Sequence, residues 1–279
     1  MERQPAHETD RPAPPTRAAG ADTSRSDAPH RMGDMNVDVI LPCLDEADAL
    51  PEVLGRLPRG YRAIVVDNGS TDGSADVARA HGALVVTEPV KGFGSACAAG
   101  VAAATAEYVA FCDADASMDP AELVPLVARV ATGHTDLALG RRVPTTPGAW
   151  APHARFANRV LAVLMRRATG YRLRDLGPMR VMRRADLVSL DLRDRRSGYP
   201  LEMVLAAHAA GWRVDESDIG YAQRIGDSKV TGTLRGTVNA VKDMSRLLRE
   251  YRREARPTVV APAPVRHVAG PTHSEEVHS

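Results

Sequence analysis

The sequence predicts an α/β fold in which a mostly parallel sheet carries helices on both of its faces. From residue 37 to Asp119-Pro120, short apolar runs alternate with stretches of helical periodicity. Strands that alternate with helices are joined by crossovers and therefore lie parallel. Aromatic residues make up only 4 % of the chain, so the core must consist of Val, Leu, Ile and Ala.

The predicted elements of the first half are short. The strands cover residues 37–41, 63–66, 83–87 and 108–112. The helices between them cover residues 47–57, 72–80 and 95–105. A fourth helix begins at Asp119-Pro120, because Pro directly after an Asp cap is a common helix start. The second half is less regular, with predicted helices over residues 152–168, 201–210 and 233–253 and strands over residues 179–182 and 213–221.

Composition limits the class of protein. The chain has 279 residues, a formal net charge of +1 and three cysteines, Cys43, Cys97 and Cys112, without a CxxC pair. A disulfide scaffold, a zinc ribbon and a uniformly cationic nucleic-acid binder are therefore excluded. No apolar run reaches the roughly 18 residues of a membrane span, and we expect no secretory signal, because the N-terminus is polar and rich in Pro and has no h-region. We expect a cytoplasmic protein that binds no nucleic acid.

Both ends of the chain lack apolar periodicity. Residues 1–35 and 254–279 are polar and rich in Pro, which predicts disordered tails around one domain of residues 36–253. The near-zero charge of that domain conceals two opposite parts. Residues 36–140 contain 15 acidic and 6 basic residues, a net charge of −9, whereas residues 141–200 contain 14 Arg and 4 Asp, a net charge of +10. The halves 36–140 and 141–253 are therefore predicted to bind different groups.

The sharpest local motif is Asp113-Ala114-Asp115, directly after the predicted strand 108–112. Carboxylates two residues apart at a strand end can project the same way into the crevice where α/β sheets bind ligands. Such a pair can hold a hard divalent cation, which in turn binds phosphate oxygens. The alternative is a solvated acidic turn.

Three further motifs follow the other predicted strands. They are Pro42-Cys43-Leu44-Asp45-Glu46, the segment 67–73, which begins with Asp67, and Lys91-Gly92-Phe93-Gly94. Asp67 stands where a carboxylate can accept hydrogen bonds from a ribose or a base. The glycines beside Lys91 permit close backbone approach, and the lysine supplies a charge for a phosphate. The structural alternative is that the acidic residues cap or stabilise helix starts.

The four motifs follow four successive strands in order, and together they resemble family 2 glycosyltransferases with the GT-A fold, a Rossmann-like fold. The resemblance is strong over residues 37–140 and weaker to about residue 245. It implies that a nucleotide-diphosphate sugar binds here, with Lys91 beside the base and ribose. The residues implied to line the base and ribose are Pro42, Glu46 and Asp67.

The same resemblance implies a metal cofactor. Asp113 would contact the ribose or the metal, and Asp115 would ligate Mg²⁺ or Mn²⁺ bridging the diphosphate. Ser117 stands where Gln is frequent, which leaves a third protein ligand open. Asp45 and Asn68 also depart from the family pattern, in positions that bear on base preference.

Segments of the second half are similar to those of polyprenyl-phosphate sugar synthases. They begin at Gly140, Arg155, Asp175 and Arg224 and follow in the same order as in those enzymes. Arg side chains, which donate two parallel hydrogen bonds, and a Lys charge can bind two phosphoryl groups that meet in one site. The alternative is a set of solvated surface arginines. The implied phosphate and acceptor contacts are Arg142, Arg155, Arg180, Arg224, Ser228 and Lys229.

The acceptor decides whether a base is needed. A phosphate acceptor is already an anion, whereas an alcohol requires a general base, for which Glu202 and then Asp175 are the candidates. Glu202 can equally be a carboxylate that stabilises a helix start. The predicted function is inverting, metal-dependent sugar transfer to polyprenyl phosphate. The alternatives are transfer to a soluble hydroxyl acceptor and a non-catalytic sugar-nucleotide binding module.

The helices predicted over residues 152–168 and 233–253 carry apolar stripes edged by Arg and Lys. In the first helix the stripe contains Phe156, Val160, Val163 and Leu164. Such helices either rest on an anionic membrane surface or pack on the sheet. The first possibility would place the protein peripherally at the inner face of a membrane, where a lipid acceptor is reached from the surface.

Overall fold

The structure, a computed structural model, describes residues 36–226, 243–251 and 253. Seven strands form one sheet in the order β3-β2-β1-β4-β6-β5-β7, and among these strands β6 alone runs antiparallel to its neighbours. The predicted mostly parallel α/β sheet is therefore confirmed. The strands are β1 (Val37–Cys43), β2 (Tyr61–Asp67), β3 (Leu84–Thr87), β4 (Tyr108–Phe111), β5 (Leu137–Pro144), β6 (Arg180–Arg183) and β7 (Val214–Tyr221).

Helices cover both faces of this sheet because alternate strand residues point to opposite sides. In β1, Ile40 packs into one apolar cluster, while Val39 and Leu41 pack into the other. None of the helices in the described part of the chain is long and apolar enough to cross a membrane. The helices are α1 (Leu50–Gly55), α2 (Ser74–Ala80), α3 (Phe93–Ala103), α4 (Leu123–Ala131), α5 (Pro152–Thr169), α6 (Arg184–Ser189), α7 (Tyr199–Ala209) and α8 (residues 243–251).

Two elements were not predicted. Strand β5 begins with three apolar residues and continues through Gly140, Arg141 and Arg142, a composition that is typical of a loop. It becomes a strand because all eight of its residues pair with β7, a contact that local periodicity cannot reveal. Helix α6 was likewise missed. The predicted tails and residues 233–242 of the last predicted helix lie outside the described residues.

The parallel pairing brings the ends of the first four strands to one edge of the sheet. Cys43 of β1 pairs with Asp67 of β2, and Asp67 pairs with Thr87 of β3. Because β6 runs in the opposite direction, its first residue, Arg180, lies beside Phe111, the last residue of β4. Motifs that are far apart in sequence therefore meet at this carboxyl edge.

Asp38 forms hydrogen bonds that stabilise the opposite end of β1. Its fully buried carboxylate accepts two hydrogen bonds of 2.7 Å from Arg62 and two more from the backbone N–H groups of Thr105 and Ala106. Burial raises the pKa of Asp38, but these hydrogen bonds outweigh burial, and the net result is a pKa below the ordinary value of 3.8. The charged form is therefore stabilised by folding.

We expect Asp38→Ala to lower the free energy of unfolding by about 3 kcal/mol, because it leaves two buried N–H groups unpaired and removes the charge partner of Arg62. Since the pKa of Asp38 is lowered by folding, its stabilisation is fully present above pH 3.8 and is lost as the pH falls below that value. Urea unfolding at pH 7 and at pH 3 measures this effect. A difference between wild type and variant that is equally large at both pH values would contradict the assignment.

Candidate active site

The carboxyl edge of the sheet borders a cavity of about 890 Å³. Polar side chains line it from the ends of β1, β2 and β4, including Glu46, Asn68, Asp113 and Asp115. Apolar side chains line it from α3, α5, α7 and α8. We call six apolar lining residues the apolar wall: Phe93, Phe111, Leu161, Leu164, Met203 and Leu248.

Asp113 and Asp115 lie together in this cavity, as the sequence predicts. Ser117 fixes Asp115, because its hydroxyl and its backbone N–H donate to Asp115 Oδ1 over 2.6 and 3.0 Å. Asp113 has no such support among the described residues. Burial, followed by repulsion from the Asp115 charge, raises the pKa of Asp113 to about 7. The pair is therefore a site of excess negative charge.

Among the described residues, Arg224 forms an ion pair with Asp115 of this pair. Its guanidinium contacts Glu46 Oε1 at 2.5 Å and Asp115 Oδ2 at 3.3 Å. The backbone holds it there, because the N–H of Ile225 donates to the Asp115 carbonyl and the N–H of Ala222 donates to the Ser117 carbonyl. The predicted phosphate contact Arg224 is thus brought to the acidic residues, where it joins the end of β1 to the segment after β4.

The donor set suits a divalent cation that also binds substrate. Within the described ranges, no group of three or more His, Cys, Asp and Glu side chains could hold a metal. Two carboxylates are nevertheless the usual protein share of a Mg²⁺ site in which phosphates and water supply the other ligands. The mutual repulsion of the Asp113 and Asp115 carboxylates and their hard oxygen atoms fit this arrangement.

The residues that follow β2 and β3 are arranged differently from the prediction. Asn68 donates two hydrogen bonds of 2.8 Å to the carbonyls of Glu88 and Val90, and its Oδ1 accepts one from Gly92. An Asp at this position could not donate, so Asn68 fixes the segment before α3. Asp67 accepts from the Ser70 N–H, and Lys91 is exposed. Neither Asp67 nor Lys91 lines the cavity, whereas Pro42 does.

The glycines of the Lys91–Gly94 segment serve the fold rather than a phosphate. A Cβ on Gly92 would lie 2.2 Å from the carbonyl oxygen of Arg195, and one on Gly94 would lie 2.5 Å from that of Asp194. The N–H groups of Gly94 and Ser95 at the start of α3 donate to backbone carbonyls of residues 195 and 196. These glycines therefore permit the backbone of residues 194–196 to approach closely, in the place where a phosphate was predicted.

Arg142 is held rigidly at the edge of the cavity. Its Nε and Nη2 donate to the two carboxylate oxygens of Asp175 over 2.9 and 2.7 Å. Its guanidinium also lies 4.1 Å from the centre of the Trp150 ring, a stacking contact that the sequence did not suggest. Both oxygens of Asp175 are engaged, so in the structure this residue positions Arg142, and its role as a base stays a prediction.

Glu202 is also committed to a structural contact. Its two carboxylate oxygens accept the backbone N–H groups of Arg193 and Asp194 over 2.9 and 2.7 Å. It does not line the cavity, although Tyr199 and Met203 of the same helix do. The loop before α7 thus engages the carboxylate, and the role of Glu202 as a base stays a prediction.

Arg180 is a buried cation without a carboxylate partner among the described residues. It is 2 % exposed and lines the cavity. Its Nε and Nη1 donate to the carbonyls of Gly177 and Pro200, while Nη2 is buried and has no hydrogen-bond partner among these residues. Burial lowers the pKa of Arg180 to about 10. An unpaired buried guanidinium is costly, and an anionic ligand would offset that cost.

The predicted site residues thus fall into four groups, of which one, Asp67, Lys91 and Glu202, lines neither cavity. The structure brings most of them to the main cavity: Pro42, Glu46, Asp113, Asp115, Arg142, Arg180 and Arg224. Arg155 and Asp175 line a second, adjoining cavity. Ser228 and Lys229 lie outside the described residues.

Comparisons with known proteins agree with this geometry. Residues 38–189 match the family model described as Glycosyl transferase family 2. The chain is 50 % identical over 213 residues to an uncharacterized glycosyltransferase of Mycobacterium tuberculosis, which covers 76 % of this chain and 97 % of that protein. It is 30 % identical over 204 residues to an undecaprenyl-phosphate 4-deoxy-4-formamido-L-arabinose transferase of Pseudomonas aeruginosa, covering 67 % of this chain and 59 % of that protein.

The fold is shared with a solved structure. Glucosyl-3-phosphoglycerate synthase from Mycobacterium tuberculosis, crystallised with Mn²⁺, uridine diphosphate and glucosyl-3-phosphoglycerate, superposes with a TM-score of 0.65. The sequences are 21 % identical, and the match covers 78 % of this chain and 80 % of that one. This similarity confirms the predicted GT-A fold.

Proposed function

This chain belongs to glycosyl transferase family 2, and from that premise we propose that it transfers a sugar from a nucleotide-diphosphate sugar to polyprenyl phosphate. The donor would lie against Glu46, Asp113 and Asp115, and the acceptor against Arg180 and the apolar wall. Attack on C1 from the side opposite the departing diphosphate inverts the configuration of the sugar. Arg142, which lines both cavities, would contact phosphate groups of either substrate.

The observation that carries this proposal is Arg180 beside the apolar wall. A buried guanidinium whose Nη2 has no hydrogen-bond partner among the described residues favours an anionic ligand. The neighbouring apolar side chains favour a hydrocarbon chain on the same ligand. Polyprenyl phosphate combines these two features in one molecule. The undecaprenyl-phosphate transferase among the relatives is consistent with this substrate class.

Asp113 and Asp115 would hold Mg²⁺ or Mn²⁺ together with donor phosphate oxygens. When bound, such an ion supplies positive charge that stabilises the departing diphosphate. Ser117 keeps the Asp115 carboxylate in one orientation. Arg224, which contacts Asp115 and Glu46, can add charge-assisted hydrogen bonds to the same diphosphate once the acidic residues are neutralised.

A phosphate acceptor also agrees with the state of the predicted bases. Glu202 and Asp175 are held in structural contacts, by backbone N–H groups and by Arg142. A phosphate oxygen attacks as an anion and needs no base. A soluble alcohol acceptor, the second candidate, would require one of these contacts to break. A lipid acceptor would be reached from the membrane surface, which suits a cytoplasmic protein at the inner face.

A panel of donors and acceptors tests the proposal. Nucleoside diphosphate release is measured from UDP-, GDP- and dTDP-sugars with Mn²⁺, using undecaprenyl phosphate, 3-phosphoglycerate or a soluble alcohol as acceptor. We expect release and a glycolipid product with undecaprenyl phosphate for one of these donors. Turnover with a soluble acceptor and none with the polyprenyl phosphate would overturn the acceptor assignment while leaving the sugar transfer intact.

A further inference from the structure

The second cavity is a groove along α5 with a volume of about 540 Å³. We call it the arginine groove, because six arginines line it: Arg141, Arg142, Arg155, Arg159, Arg166 and Arg174. Asp175 is the one acidic residue in its described lining, and Arg142 already binds both of its carboxylate oxygens. The groove therefore carries a large excess of positive charge.

Most of these arginines have no anionic partner in the described part of the chain. Arg141 pairs with Asp218 and Arg142 with Asp175. The side chains of Arg155, Arg159, Arg166 and Arg174 form no ion pair with a described residue, and all four residues are exposed. Four unpaired guanidiniums along one groove provide many N–H donors for phosphate groups, which they bind in a forked geometry.

An exposed apolar strip lies next to this groove on the same helix. Phe156, Val160 and Val163 are 68 %, 44 % and 49 % exposed, although the sequence alone left open whether they pack on the sheet. At 3.6 residues per turn, Arg155, Arg159 and Arg166 share one line along α5, and these apolar residues occupy the adjacent arc. Phe156 and Val160 also line the main cavity, so the strip leads to the proposed acceptor site.

We propose that the arginine groove and the adjoining strip of α5 dock on an anionic lipid bilayer. The arginines would contact phosphate headgroups, and Phe156, Val160 and Val163 would enter the boundary between headgroups and acyl chains. Charge complementarity and the exposed apolar arc on one helix both favour a bilayer over a soluble phosphate compound. This inference rests on the proposed function, since a docked α5 would place the entrance of the acceptor site at the membrane.

The test measures vesicle binding and turnover separately. Full-length protein is sedimented with phosphatidylcholine vesicles that either contain or lack phosphatidylglycerol. We expect binding to the anionic vesicles only, weakened by salt, and a loss of roughly 30-fold or more in the Arg159→Glu/Arg166→Glu variant. The matched control Arg59→Glu/Arg79→Glu has the same charge change on the donor half and should bind like wild type. Phe156→Ser should weaken binding in the same direction at unchanged charge.

Turnover of a short-chain, water-soluble prenyl phosphate without vesicles distinguishes this inference from the proposed function. We expect Arg159→Glu/Arg166→Glu to retain that turnover, while its turnover of vesicle-embedded undecaprenyl phosphate falls together with binding. If wild type does not bind anionic vesicles, or if inorganic phosphate binds the groove while vesicles do not, the docking surface is wrong. If vesicles bind as expected but no prenyl phosphate is a substrate, the proposed acceptor is wrong and the docking surface stands.

Discussion

Asp115→Asn is expected to reduce sugar transfer by at least about a thousandfold, equivalent to roughly 4 kcal/mol of transition-state stabilisation. The substitution preserves the side-chain shape, and its Oδ1 can still accept the hydrogen bonds from Ser117. The change removes one of the two negative charges that would hold the divalent cation. It also turns the group facing Arg224 from a carboxylate oxygen into an N–H donor, which opposes the guanidinium.

Nucleoside diphosphate release over a Mn²⁺ titration measures this effect, and Mn²⁺ binding followed by electron paramagnetic resonance provides a second readout that does not depend on turnover. Asp119→Asn is a matched control, because Asp119 caps the turn after the motif through Oδ1 and removing its charge leaves that cap intact. The control should keep its activity and Mn²⁺ affinity. Full turnover in the presence of a chelator, or wild-type Mn²⁺ binding by Asp115→Asn, would rule out this metal site.

The parts of this site that sequence reveals are those determined locally. Alternating strands and helices predicted four strands with Pro42, Asp67 and Asp113 at their ends, because parallel pairing follows from the order of elements. The Asp67 carboxylate nevertheless accepts a hydrogen bond from the nearby Ser70 N–H and does not point into the cavity. The end of a strand predicts the path of the backbone, whereas a competing local hydrogen bond determines the orientation of the side chain.

The parts that sequence does not reveal depend on distant partners. Asp175 lies 33 residues from Arg142, and Glu46 lies 178 residues from Arg224, yet each pair forms an ion pair. Glu202 is engaged nearer in sequence, by the backbone N–H groups of Arg193 and Asp194 in the loop before α7. These contacts show structural partners for the two predicted bases, Asp175 and Glu202, that the sequence did not suggest.

The resemblance already names Arg180 as a phosphate contact, but only the structure shows that its guanidinium is buried and has no carboxylate partner among the described residues. We expect Arg180→Met to lower kcat/KM for the acceptor by about a hundredfold, the loss of roughly 3 kcal/mol of charge-assisted hydrogen bonding to a phosphate. Stability should stay within about 2 kcal/mol of wild type. Relief of an unpaired buried charge offsets the loss of the bonds to the Gly177 and Pro200 carbonyls.

A merely structural Arg180 would behave differently. If its role is to bind the acceptor phosphate, Arg180→Met should keep wild-type affinity for the nucleotide sugar and its slow hydrolysis, while the acceptor KM rises. Arg180→Lys, which retains the charge but not the fork, should recover part of the loss. Arg183→Met, at the other end of β6 and paired with Glu107, is the matched control and should leave acceptor kinetics unchanged. This experiment measures the affinity for the nucleotide sugar and the acceptor KM separately. If Arg180→Met impairs both while its melting temperature is unchanged, Arg180 lies in the donor site instead.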